Sequence, residues 1–320
     1  MRAATAPVLP LVQLLGPTAS GKTALAEAAA ERFGMDLVSV DSAQVYKGLD
    51  IGAAKPDAAT RARLRYWLLD LCEPEEAYSA ARFVEDAEAA LQVIASAGRC
   101  ALFVGGTGLY FRAFHQGLSD LPAADPALRE ELATRLAHAG AAALHAELAL
   151  ADPAAARRIG VNDHQRLLRA LEVIALTGRP LSAQQQSAGR VRAGRGQDLR
   201  IAFAPADRHW LHDRIAQRLH GMFAAGFIDE VRALRQRPGL SAATPSMRAV
   251  GYRQVWQWLD LGHSGGQEAE MRERCLYATR QLAKRQYTWL RGEEGLVWLD
   301  AAAGNAQQQG LDLIARWLGR

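Results

Sequence analysis

Six short apolar runs punctuate the chain: Leu11–Leu15, Asp36–Val40, Trp67–Leu71, Cys100–Val104, Leu199–Ala204 and Leu296–Leu299. Each has the length of a buried strand, and longer stretches with helical periodicity lie between them. Those stretches are Ala24–Arg32, Ala80–Ser96 preceded by Ser79, Trp210–Arg235, Met247–Leu259, Gln267–Arg291 and Leu311–Leu318. Strands alternating with helices predict an α/β chain with a parallel sheet. One region breaks the rhythm. From 119 to 197 no strand pattern occurs, and Asp125–Ala139, Ala141–Leu150 and Asn162–Thr177 read as helices. The last starts with a capping-box-like Asn162 and Gln165, carries Leu167, Leu168, Leu171, Ile174 and Ala175 as its apolar face, and stops at Gly178-Arg179-Pro180. A polar, basic stretch follows, with Gln184-Gln185-Gln186 and Arg190–Gly196. The expected organisation is therefore a core in two parts, 1–118 and 198–320, with an all-helical insertion at 119–197. No internal repeat is present.

The first strand runs directly into Gly16-Pro17-Thr18-Ala19-Ser20-Gly21-Lys22-Thr23, which fits the P-loop pattern G-x-x-x-x-G-K-[ST] at every fixed position. Strand, glycine turn and helix N-terminus together make an anion site: backbone N–H groups converge and the helix dipole adds positive potential. Lys22 is expected to bridge terminal phosphate oxygens, and the Thr23 hydroxyl to face a Mg²⁺. The motif specifies a polyphosphate or pyrophosphate, not which one.

The second strand delivers Asp41-Ser42-Ala43-Gln44 at its C-terminal end, where open α/β sheets bind ligands. The strand Cys100–Val104 delivers Gly105-Gly106-Thr107-Gly108. Many P-loop ATPases hold Mg²⁺ with an Asp at such a strand end. Here the place is taken by glycines and a hydroxyl, and Asp41 is the nearest comparable carboxylate.

Composition narrows the class. About half the residues are apolar (49%), net charge is +4 and the pI is about 9.1, which permits a nucleic-acid partner without requiring one. Cys72, Cys100 and Cys275 are scattered, so no disulfide framework or zinc site is expected. The apolar run before the P-loop is broken by Pro10, and no stretch approaches the roughly 20 apolar residues of a membrane span. A cytoplasmic monomer without a membrane partner is expected. Arginine is the habitual cation; the lysines are Lys22, Lys47, Lys55 and Lys284. Either these sites need a compact ammonium or, for Lys47 and Lys55, they have merely drifted. On the helix Gln267–Arg291, the residues Tyr277, Arg280, Lys284, Tyr287, Thr288 and Arg291 share one stripe, opposite Cys275, Leu276, Leu282, Ala283, Trp289 and Leu290. Cations interleaved with aromatics suit phosphates and stacked bases, although a solvated face gives the same pattern. Arg248–Arg253 and Gln165–Arg169 repeat it.

These stretches, in this order, resemble the tRNA dimethylallyltransferase family (tRNA isopentenyltransferases, or IPP transferases). The matching pieces are GPTASGKT, VDSAQVYKGLDIGAAKP, LFVGGTGLYF, NDHQRLLRALEV, RAVGYRQVW and ATRQLAKRQYTWLRG. One departure is Ala53, where the family usually has Thr; little effect is expected. The resemblance implies a nucleotide-kinase-like P-loop fold that transfers a five-carbon group from dimethylallyl diphosphate to the exocyclic amine of the tRNA adenine 3′ of the anticodon, releasing pyrophosphate with Mg²⁺. It implies that Gly16–Thr23 holds the diphosphate and that Asp41, Ser42, Ala43 and Gln44 meet the flipped adenine, with Asp41 as general base. Lys22 and Thr107 join Asp41 as catalytic groups. Thr107 and Arg129 contact the tRNA, as do Gln165-Arg166-Leu167-Leu168-Arg169, Arg248-Ala249-Val250-Gly251-Tyr252-Arg253 and Lys284-Arg285-Gln286-Tyr287-Thr288-Trp289-Leu290-Arg291. Arg214 and Arg218 either reach the diphosphate or make a surface salt bridge, the latter being the simpler expectation.

An ATP-dependent small-molecule kinase explains the P-loop and Asp41 equally well, but not the three Arg–aromatic segments or the missing Asp after Val104. A nucleic-acid-dependent ATPase or a pure binding module needs a second acidic motif at a strand end, and none is found.

Overall fold

A computed structural model describes residues 11–119, 121–185, 198–262 and 267–320. Six strands form one sheet: β1 (Val12–Leu15), β2 (Asp36–Val40), β3 (Tyr66–Trp67), β4 (Ala101–Gly105), β5 (Leu199–Phe203) and β6 (Val297–Leu299), in the order β3-β2-β4-β1-β5-β6. All pairs are parallel. β1, β2 and β4 are buried throughout, as strands covered on both faces must be. The helix α1 (Lys22–Phe33) packs Leu25, Ala26 and Ala29 against this sheet, together with Leu311 and Ile314 of α13 (Ala306–Trp317). α2 (Ala58–Arg63) precedes β3, and α3 (Ala80–Ser96) starts after Ser79, whose Oγ accepts the Arg82 N–H.

A second core lies among α9 (Arg208–Ala224), α10 (Phe227–Arg235), α11 (Tyr252–Asp260) and α12 (Glu268–Arg291), where Phe227, Val231, Tyr252, Val255 and Cys275 are fully buried. The single helix expected at 210–235 is two, because Gly226 adopts φ +96°, outside the helical region. The expected helix from Met247 begins as a 3₁₀ turn, Pro245–Arg248, and is properly helical only from Tyr252. The expected strand Trp67–Leu71 is also corrected. It ends at Trp67, since Leu68 and Asp70 have positive φ and cannot continue a ladder.

The chain divides into two compact units, 1–112 with 193–320 and 113–192. α4 (Gly108–Gln116) runs across the first boundary. The second unit holds α5 (Pro126–Ala151), α6 (Pro153–Arg158), α7 (His164–Thr177) and α8 (Leu181–Gln185) around Leu132, Leu144, Leu148, Leu167 and Leu171. α5 joins the two expected helices across Gly140, which is itself non-helical. α7 is capped by Asp163 rather than Asn162: its Oδ1 accepts the Arg166 N–H. Ala175, expected on the apolar face, is exposed, whereas Glu172 is buried there. Gln186 and Arg190–Gly196 lie outside the described residues. No helix among the described residues is long and apolar enough to cross a membrane, and Cys72, Cys100 and Cys275 are free thiols.

Candidate active site

Three strand ends build the site. β4 lies between β2 and β1, so its loop stands between the Asp41 loop and the P-loop. It is bonded to both: Gly16 N–H donates to the Gly105 carbonyl and Thr107 N–H to the Val40 carbonyl, each at 3.3 Å. The Thr107 hydroxyl accepts the Ser42 N–H at 3.1 Å. Gly16 has no room for a side chain, because a Cβ there would lie 2.4 Å from the Phe203 carbonyl oxygen on the other flank.

Asp41 sits half-buried at the end of β2, and its Oδ1 accepts the Ala43 N–H at 2.8 Å and the Gln44 N–H at 3.4 Å. This turn fixes the carboxylate close to the strand end. The Gln44 side chain is turned inward. Its Oε1 accepts from Ser39 Oγ at 2.8 Å, and its Nε2 donates to the carbonyls of Ala53 and Ala54 at 3.2 and 3.1 Å.

Lys22 opens α1, as the P-loop pattern requires, and its Nζ donates to the Pro17 carbonyl at 3.1 Å. Burial pushes its ammonium down to about 8, the neighbouring Arg218 guanidinium adds to that, and Asp41 opposes both. Among the described residues no ion pair involves Lys22, Arg214 or Arg218 within 4 Å, so the expected surface salt bridge is corrected. Arg214 instead donates Nε–H to the Ala19 carbonyl at 3.0 Å and lies 4.9 Å from the Trp210 ring centre. Lys22 and Arg218, two cations coupled to the one carboxylate of Asp41, make a site of surplus positive charge, suited to a polyanion.

Among the described residues no cluster of three or more His, Cys, Asp or Glu side chains could hold a metal. The loop does offer oxygen donors. The Ser20 hydroxyl is buried without a partner, Thr23 follows Lys22 at the head of α1, and Asp41 follows β2 on the other side of β4. Oxygen donors in small number suit a Mg²⁺ that keeps water and substrate oxygens as its other ligands.

The expected tRNA segments divide into outward and inward side chains. On α12, Tyr277, Lys284, Arg285, Thr288 and Arg291 are exposed. Tyr287 is not part of a solvated stripe; its hydroxyl donates to the Pro205 carbonyl and its ring packs with Leu211 and Ile215. Arg280 is half-buried, Leu290 is fully buried, and Trp289 stacks on Phe111 with ring centres 5.9 Å apart. Arg248 and Arg253 are exposed, but Tyr252 between them is fully buried. The Tyr252 hydroxyl donates to Glu230 Oε1 at 2.6 Å and accepts the Ala53 N–H at 3.1 Å. Glu230 in turn accepts the N–H groups of Asp50, Ile51 and Gly52 at 3.0, 2.6 and 3.1 Å. Glu230 gave no signal in the sequence, since an exposed helical Glu and an amide acceptor look alike there.

In the second unit, Gln165 and Arg166 are exposed and Leu167 is core. Arg129 and Arg169 converge on the buried Glu172, donating at 3.0 and 2.7 Å, and Asp125 N–H adds a third bond at 2.9 Å. Burial alone would raise the Glu172 carboxyl; Arg169, the Asp125 amide and Arg129 outweigh it and hold it below its ordinary value.

The model of the IPP transferase family matches residues 44–293. The tRNA dimethylallyltransferase of Thiobacillus denitrificans is 53% identical over 311 residues, covering 97% of each chain. The crystal structure of the full-length tRNA isopentenylpyrophosphate transferase from Bacillus halodurans superposes with a TM-score of 0.68 at 33% identity, covering 98% of this chain and 97% of that one. A eukaryotic dimethylallyltransferase solved acting on tRNA shares the fold, with a TM-score of 0.74 at 21% identity and coverage of 98% and 80%. The chain belongs to the IPP transferase family, whose curated members resembling it are named tRNA dimethylallyltransferases.

Proposed function

We propose that this chain transfers a dimethylallyl group from dimethylallyl diphosphate to the exocyclic N6 amine of the tRNA adenine 3′ of the anticodon, releasing pyrophosphate. The observation that carries the reading is the pairing of surplus positive charge at Lys22 and Arg218 with one positioned carboxylate, Asp41. The amine nitrogen forms a bond to C1 of the prenyl group as the C1–O bond to the diphosphate breaks. The nitrogen's proton passes to Asp41, and the bonding electrons leave with the pyrophosphate. General-base help of this kind is worth about 10²–10⁴-fold. Lys22, Arg218 and the amides heading α1 stabilise the charge that develops on the leaving group. Mg²⁺, held by Thr23 with help from Ser20 or Asp41, would neutralise diphosphate charge. The adenine has to leave its stack to reach Asp41. Thr107 holds the Ser42 amide and so sets the distance between the two halves of the site. The exposed cations Arg166, Arg248, Arg253, Lys284, Arg285 and Arg291 supply tRNA phosphate contacts, whereas Arg129 and Arg169 chiefly hold Glu172.

The test sets the two nucleotide-site readings against each other. Purified protein is incubated with labelled dimethylallyl diphosphate and total tRNA, and separately with labelled ATP and candidate small-molecule acceptors. Label in N6-modified adenosine, with no phosphoryl transfer, is expected. Phosphoryl transfer without prenylation would instead establish the kinase reading.

A further inference from the structure

The last turns of α12 face two ways. Lys284, Arg285, Thr288 and Arg291 point outward, and the family resemblance gives the whole run from Lys284 to Arg291 to tRNA contact. Gln286, within that run, is occupied elsewhere. Its Oε1 accepts the Thr18 N–H of the P-loop at 2.8 Å, and its Nε2 donates to the Gly106 carbonyl at 3.0 Å. A side-chain amide can accept from one backbone group and donate to another at once, which neither a carboxylate nor an ammonium can do. The fit is close: a Cβ on Gly106 would lie 2.3 Å from that nitrogen. The neighbouring turn is pinned as well, by Trp289 against Phe111 and over Gly108 and by the Tyr287 hydroxyl on the Pro205 carbonyl.

We propose that Gln286 is a positioning residue of the diphosphate site and not a tRNA contact. It anchors the Thr18 amide and so fixes the start of the P-loop relative to the β4 loop that carries Thr107. With Thr18 N–H turned to Gln286, the anion is left to the amides heading α1, the free donors of any helix N-terminus. Gln286 thereby sets the angle at which those amides and Lys22 meet the leaving group. The inference rests on the reading that the P-loop holds a diphosphate.

The experiment measures inorganic pyrophosphate binding by calorimetry without tRNA, tRNA binding by filter retention, and KM for dimethylallyl diphosphate. It compares wild type with Gln286→Met, which keeps length and loses both bonds, and Gln286→Glu, which keeps the acceptor for Thr18 and loses the donor to Gly106. Pyrophosphate Kd and the diphosphate KM should rise about 10-fold in Gln286→Met, the size of one or two lost hydrogen bonds, with tRNA affinity unchanged. Gln286→Glu should bind pyrophosphate no better than Gln286→Met. If neither Gln286 variant folds, Gly106→Ala displaces the amide while leaving Gln286 in the chain, and the same split is expected. Loss of tRNA affinity with normal pyrophosphate binding overturns the proposal. Pyrophosphate binding that Gln286→Met retains in full sinks it alone; a wild-type protein that binds no pyrophosphate sinks the diphosphate reading and the proposal together.

Discussion

Lys22 and Lys55 both follow strands of the same sheet, and their charges meet opposite surroundings. Lys55 is almost sealed, with 2% of its side chain exposed, and it is saturated. Its ammonium donates to the Tyr46 carbonyl, to Asp50 at 2.8 Å and to Asp70 at 2.5 Å, and Arg61 supplies Asp70 with a second cation at 2.6 Å. Lys22 is partly exposed, bonded to one carbonyl, and set beside a second cation that helps to depress its pKa. Burial of a lysine alone therefore marks no site here. What marks the site is charge that the fold has left without a matching anion. The second unit repeats the lesson, since Arg129 and Arg169 are matched by Glu172.

The sharpest way to break this contrast is to remove the unmatched charge. Lys22→Met should reduce prenyl transfer to below measurable rates through loss of diphosphate binding, with tRNA affinity little changed. An equal fall in tRNA binding would mean that Lys22 is not at the diphosphate site. Next comes the carboxylate opposite. Asp41→Asn keeps an oxygen for the Ala43 and Gln44 amides, so the turn should survive while the charge is lost. kcat should then fall about 10²-fold or more with KM for the prenyl diphosphate near normal. Kinetics at several Mg²⁺ concentrations separate base from metal ligand: a defect rescued by excess Mg²⁺ would sink the general-base role.

The same contrast explains what could be read from the residues alone. The P-loop, the strand ends at Asp41 and Thr107 and the alternating architecture were legible, because apolar periodicity and fixed spacing are local properties of a sequence. The break at Gly226 and the early end of β3 were not, since each depends on one residue's backbone angle. Side-chain direction within a motif was least legible. Tyr252, Gln286 and Tyr287 lie in segments that read as surface, yet each points inward. Helical spacing gives a face; only packing against a second element decides whether that face meets water. Nor could spacing separate the two lysines, whose partners are backbone carbonyls and, for Lys55, the carboxylates of Asp50 and Asp70.

Removing the matched charge sharpens the comparison from the other side. Lys55→Met leaves Asp50 and Asp70 facing each other with only Arg61 for compensation. Breaking a buried pair from one side costs about 3–5 kcal/mol; with both carboxylates part-exposed, about 2 kcal/mol is expected. Urea denaturation should show this loss, while pyrophosphate affinity stays within error of wild type. A variant as stable as wild type that binds pyrophosphate poorly would move Lys55 into the site.

The smallest effect is the most specific, because only Lys22's depressed pKa predicts its sign. In the folded chain Lys22 titrates near 8, against an ordinary value of 10.5. Below about pH 8 both folded and unfolded chains carry the proton, and the folded state bears the full cost of holding a charge among poor partners. Between 8 and 10.5 the folded chain releases its proton first. The unfolded chain then binds more protons, so wild-type stability rises with pH across that window. Methionine has no such proton. Ligand-free Lys22→Met should therefore be more stable than wild type at pH 7, by about 1 kcal/mol after allowance for the solvent that reaches the ammonium. The gain should shrink as pH rises through 8 and vanish near 10.5. Saturating pyrophosphate at pH 7 should reverse the order, because it stabilises only the chain that binds it. Urea midpoints at pH 7, 9 and 10.5, with and without pyrophosphate, read all of this. If the variant is less stable than ligand-free wild type at pH 7, Lys22 has found an anionic partner inside the fold, and the distinction from Lys55 disappears.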